Sequence, residues 1–150
     1  MNKFETLIAD AGDILGTGLY AERGSICKIF VNQSFHVNIE YKENKELILI
    51  ASMIAELPAG RFRELVLKEA LRLNDSFPNP GVFSYCQRNN HLAFFKHISI
   101  TQLSAEKFAD QIEQFVDFCE KWKDALSSGN LSSVALPPPR TASIPLGVKR

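Results

Sequence analysis

The hydrophobic pattern predicts an α+β fold, an antiparallel twisted sheet with helices packed on it, in the order α-β-β-β-α-β-β-α. Three observations predict it. Three segments carry apolar residues at the i, i+3, i+4 spacing of an amphipathic helix. Five short segments are rich in β-branched and aromatic residues. The strand segments that follow one another directly are separated by only a few turn-forming residues, so they must run antiparallel. A chain of 150 residues is one domain, long enough to bury a core.

Asn2 to Leu15 is the first helix, with Phe4, Leu7, Ile8, Ala11, Ile14 and Leu15 on one face. Gly12 weakens it, and Gly16 and Gly18 end it. A polar connection leads to a strand at Ile26–Asn32, closed by a turn at Asn32-Gln33-Ser34. In the next strand Phe35, Val37, Ile39 and Tyr41 alternate with His36, Asn38 and Glu40, giving one dry and one wet face. Lys42 to Lys45 is a charged turn. The third strand, Glu46–Ile54, is apolar almost throughout and so coverable on both faces.

Leu57 to Asp75 reads as the helix that organises the chain. Pro58 suits its first turn, where an N–H has no partner to lose. Phe62, Leu65, Val66, Ala70 and Leu73 share a face, and Leu67 and Leu71 carry the apolar surface further round. One core needs a stripe of only about 100°. The helix is therefore buried on two sides, either inside the monomer or against a second subunit. A loop at 76–81 leads to a hairpin of Val82–Arg88 and His91–Ile98 about Asn89-Asn90. Leu92, Phe94 and Ile98 lie on one face of the last strand, Ala93 and Phe95 on the other. Ser104 caps the third helix, Ala105 to about Leu126, with Leu103 and Phe108 as a hydrophobic staple and Gly129 as its stop. Residues 1–128 thus form the domain. Residues 129–150, with Pro137-Pro138-Pro139, lack periodicity and read as a flexible or polyproline-like tail.

Lysine plus arginine and aspartate plus glutamate both number 17, which removes the basic excess expected of a nucleic-acid surface. The three cysteines, Cys27, Cys86 and Cys119, form no paired motif and read as free thiols of a reducing, cytoplasmic compartment. No apolar run reaches the roughly 18 residues of a membrane span, and no export signal opens the chain. Phosphate-binding, nucleophile-elbow and metalloprotease motifs are missing, so neither a catalytic site nor a cofactor is expected. His91 and His97 share a strand face about 20 Å apart and cannot hold one metal. What stands out is surplus apolar surface. The first strand has Ile26 and Phe30 on one side and Cys27, Ile29 and Val31 on the other; the third is apolar on both. Contiguous exposed apolar surface marks a binding site.

This order of elements, with Leu57-Pro58, Phe62-Arg63, the run Leu65 to Asn74, Phe83-Ser84-Tyr85 and Leu92-Ala93-Phe94, resembles the class I chaperones of bacterial type III secretion, the Tir-chaperone (CesT/SycE-like) family, over about residues 1–128. Members of that family are typically acidic, whereas this chain has a pI near 6.8. The resemblance implies a homodimer joined through the second helix, with Phe62, Val66, Leu67, Ala70 and Leu71 at the seam. It implies a non-enzymatic function, binding the extended N-terminal chaperone-binding segment of a secreted effector and keeping it soluble and competent for secretion. Leu7 and Ile8 with Ile26, Phe30, Phe35, Ile48 and Ile50 are the expected effector groove. A small-ligand-binding or regulatory α+β domain, its surplus apolar face lining a pocket, is the alternative.

Overall fold

The computed structural model describes residues 2–76, 80–131 and 134. The elements are α1 (Lys3–Leu15), β1 (Ile26–Val31), β2 (Phe35–Lys42), a single 3-10 turn at Glu43–Lys45, β3 (Leu47–Glu56), α2 (Arg61–Asn74), β4 (Val82–Cys86), β5 (His91–Ser99) and α3 (Ala105–Ser128). The five strands form one antiparallel sheet in the order β1-β2-β3-β5-β4. Helix α2 bridges the one long connection, so β5 comes to lie between β3 and β4.

Local chemistry sets the boundaries. Asn2 and Glu5 form a reciprocal capping box at the start of α1, and Gly16 ends the helix in the left-handed conformation. Ser104 accepts from the Lys107 N–H to start α3, and Gly129 closes it. The hairpin between β1 and β2 turns through Asn32 and Gln33, both at positive φ.

Two sequence expectations are corrected here. Helix α2 begins at Arg61, not at Leu57-Pro58. Strand β3 runs on to Glu56, and the Leu57 N–H then donates to Asn90 O at 2.7 Å, which holds Leu57 against the β4–β5 hairpin. The Leu57 carbonyl accepts from Arg63 Nε and Nη2 at 2.9 and 2.6 Å. Proline and glycine at 58–60 therefore form a loop, and the helix starts after it. The second correction concerns the hairpin about Asn89-Asn90. Its loop spans residues 87–90, between paired Cys86 and His91, and only Asn90 takes a positive φ.

One face of the sheet is dry. Cys27, Phe35, Val37, Ile39, Ile48, Ile50, Ile54, Phe83, Leu92 and Phe94 are all buried against α1 and α3. At the β4 end the core is aromatic, with Phe83 4.5 Å from Trp122 and 4.7 Å from Phe94 between ring centroids. Among the described residues Ser52 is the buried polar one, and its hydroxyl donates to His36 O at 2.7 Å. Gly81 is required where the chain enters β4, because a Cβ there would stand 2.4 Å from the Phe94 ring and 2.8 Å from Phe95 O. Leu131 and Val134 pack against the core just past α3. The remainder of the expected tail, and residues 77–79 of the expected loop, lie outside the described residues.

Candidate partner-binding surfaces

The sheet has two edges, and each carries a groove. At the β4 edge, α2 packs on the strand through Val66, Ala70 and Leu73, which are buried in the chain's own core. The Asn74 side chain pairs with the outer edge of β4 as a further strand would. Its amide donates to Phe83 O at 3.0 Å and its oxygen accepts from Phe83 N–H at 2.7 Å. Arg63 lies 5.6 Å over the Tyr85 ring, and Tyr85 Oη donates to Asn90 Oδ1 at 2.7 Å, fixing helix to hairpin. Between them is an apolar groove of about 170 Å³, lined among others by Leu67, Leu71, Phe83 and Tyr85. Leu71 stands at its rim, 69% exposed.

At the other edge, Ile26 exchanges both backbone bonds with Glu22, while Ser25 O accepts from Tyr41 N–H on the opposite side. Antiparallel pairing alternates in this way, so Lys28 and Phe30 also direct N–H and C=O away from β2, along the free edge. Beside that edge lies a groove of about 400 Å³, lined by Leu15 and Leu19, by Ile29 and Val31, and by Ile112 and Val116. Glu113 and Asp117 sit on its α3 wall.

Among the described residues, no helix covers the second face of the sheet. On it Phe30 is 56% exposed and stacks on His36 at 4.6 Å. Met53 and Val82 are exposed on the same face, while Leu49, Ala51 and Phe95 are half-buried. Register puts Ala51 beside Phe95, and Phe95 beside Val82, in a row across the strands. Helix α2 lies against β4 rather than over this face of β3.

The residues expected in the effector groove therefore separate. Ile8, Phe35, Ile48 and Ile50 are 0–4% exposed in the core between sheet and helices, and Leu7 is buried with them. They offer no surface to a partner in this state. Phe30, exposed, and Ile26, half-buried, lie on the open face. Of the expected seam residues, Val66 and Ala70 face inward, Phe62 and Leu67 are half-buried, and Leu71 faces out. Leu15, Leu19, Ile112 and Val116 line the β1 groove and were not singled out from the sequence as binding residues. Leu15, Ile112 and Val116 fall at the same helical spacing as core residues and Leu19 lies outside any periodic segment, so no signal in the sequence separates the four as binding residues.

A profile of the Tir chaperone protein (CesT) family matches residues 6–123. The chain belongs to that family. The solved structures similar to this CesT-family chain share its fold. The HopA1–SchA chaperone–effector complex holds a chain with a TM-score of 0.66 at 14% identity, the match covering 82% of this chain and 94% of that one. The ExsC–ExsE complex gives 0.63 at 18% identity, covering 83% and 93%. The Yersinia pestis type III secretion chaperone SycH, solved with a stable fragment of YscM2, gives 0.61 at 16% identity, covering 78% and 97%. No curated protein sequence matches. The family is one of chaperones, and its α-β-β-β-α-β-β-α order is the order found here.

Proposed function

We propose that this type III secretion chaperone acts in the cytoplasm as a homodimer that binds the extended N-terminal segment of a secreted effector. One observation supports it best. Among the described residues of this family member, one sheet face has no helix over it and the β1 edge has no strand beside Lys28 and Phe30, and the apolar side chains Phe30, Met53 and Val82 stand exposed on that face. An extended polypeptide satisfies both needs at once. Its backbone takes up the outward N–H and C=O groups of Lys28 and Phe30, and its alternate side chains enter the groove beside β1. No bond needs to be made or broken. The second subunit is assigned to the α2–β4 groove, with Leu71, Leu67 and Phe62 meeting their symmetry mates. The small-ligand alternative has less support, since the groove of about 400 Å³ runs along an unpaired strand edge, whose outward N–H and C=O groups an extended backbone satisfies and a small apolar ligand does not.

Native mass spectrometry tests the proposal. The chain alone should give the mass of two copies, and with the N-terminal segment of a secreted effector it should give two copies plus one segment. A monomer that takes up none of the segments offered would refute both parts. Phe30→Asp should fold as the parent does and lose the cargo; cargo bound at full strength would move the binding surface elsewhere.

A further inference from the structure

We propose that the chain carries its own occupant for the groove beside β1, and that residues 144–148 seat there when no effector does. The effector role of this groove rests on the function proposed above; the seating of the chain's own segment does not.

The groove does not end at Asp117. Through Leu15 and Glu113 it continues into a second cleft of about 300 Å³. The residues lining the two clefts include four carboxylates, Glu106, Asp110, Glu113 and Asp117, and neither lysine nor arginine. A groove with an apolar floor and an anionic wall selects an apolar segment flanked by cations.

The chain contains one such segment. After Asp124 it has no acidic side chain, and it carries Arg140, Lys149 and Arg150. Between these, Ile144, Leu146 and Val148 alternate with Pro145 and Gly147. An extended segment would place the three branched side chains on one face over about 13 Å, and would turn Pro145, which has no N–H, to the other. Length permits the seating. From Asp117 to the end of α3 at Ser128 is about 16 Å along the helix. The ten residues from Val134 to Ile144 span up to about 30 Å when extended. A cis segment of this kind would shield the β1 edge of the empty chaperone from pairing with other strands, and an effector would displace it.

Hydrogen exchange on the full-length chain tests this. Leu146→Asp and Ile144→Asp both lie beyond the last described residue, so the fold is expected to persist. In either variant the amides of Lys28 and Phe30, which point along the free edge, should exchange at least about tenfold faster than in the parent. A synthetic peptide of residues 140–150 should restore their protection. Equal exchange in parent and variants would overturn the proposal. So would protection that rises with protein concentration over a tenfold range, since the occupant would then be a second copy. Glu113→Lys with Asp117→Lys should match the effect of Leu146→Asp; unchanged protection would remove the charge argument and the proposal with it. The two readings fail separately. If parent and variants exchange alike while an effector segment protects the Lys28 and Phe30 amides, the self-occupancy falls and the chaperone site stands. If they differ and no effector segment protects those amides, the reverse holds.

Discussion

Gly12 looks like a flaw in α1, and the structure gives it a reason. Thr17 and Leu19 fold back over it, and the Thr17 N–H donates to Gly12 O at 2.9 Å. A Cβ at position 12 would stand 2.6 Å from Thr17 O and 2.9 Å from Leu19 N, both backbone atoms with little room to shift. Alanine in a helix gains about 0.5–1 kcal/mol over glycine, but overpacking of this kind costs about 1–3 kcal/mol. The clash wins, so Gly12→Ala should lower the melting temperature by a few degrees; a rise would show that residues 17–19 yield freely. Cys119 makes a second test at this scale. Burial pushes its thiol from 9.0 up to about 12, and burial also raises Cys27. Native alkylation at pH 8 should therefore label half-buried Cys86 and spare the other two. The sign for stability follows from the same shift. Below pH 9 the thiol is neutral folded or unfolded, and its preference for the core is fully present. Between 9 and 12 the unfolded chain ionises while the folded one does not, so stability should fall across that window. Chemical denaturation at pH 8 and 10.5 measures the fall, and Cys119→Ala should flatten it.

At the scale of elements, the sequence displayed helix and strand periods well and facing poorly. The alternation of Phe35, Val37 and Ile39 predicts which side of β2 is dry, and that side is buried. No such contrast exists in β3, where both sides are apolar. Nothing in its sequence says that Ile48 and Ile50 lie under the helices while Leu49 and Ala51 face out. That choice is made by pairing register with β2, a long-range property. The pattern of β3 alone thus allows Ile48 and Ile50 to face a groove, and the structure buries both in the core. Helix α2 shows the same limit. Its broad apolar arc announced two-sided burial, but only packing on β4 shows that Val66 and Ala70 are spent inside and that Leu71 is left at the rim. Two substitutions on this one helix should consequently differ in kind. Val66→Asp places a charge in the core and should unfold the chain. Leu71→Asp should leave the fold intact, as circular dichroism would report, and weaken dimerisation by about 100-fold or more. Unchanged dimer mass at micromolar concentration in sedimentation would take α2 out of the seam.

For the whole molecule, the strand order has a consequence for how cargo is held. Strands β4 and β1 stand at opposite ends of the sheet, four spacings apart, or about 19 Å. If the two sheets continue one another across the proposed seam at β4, the two β1 edges stand at the far ends of the dimer, about 40 Å apart. An effector segment that reaches both must lie across the molecule, and at about 3.3 Å per residue it needs more than a dozen extended residues. Its affinity then comes from two linked contacts, the second made at the high effective concentration set by the first. On the proposed arrangement the grip on each protomer is local to β1, and loss of the seam leaves it intact. The Leu71→Asp monomer should therefore still bind the segment, one to one, but about 10²–10⁴-fold more weakly than the parent dimer does. Halving the segment should cost the parent a comparable factor and cost the monomer little. Calorimetric titration of both proteins with both lengths measures all four constants. Equal affinity in monomer and dimer would mean that one protomer holds the whole segment, and the far β1 edge would then have no part in cargo binding.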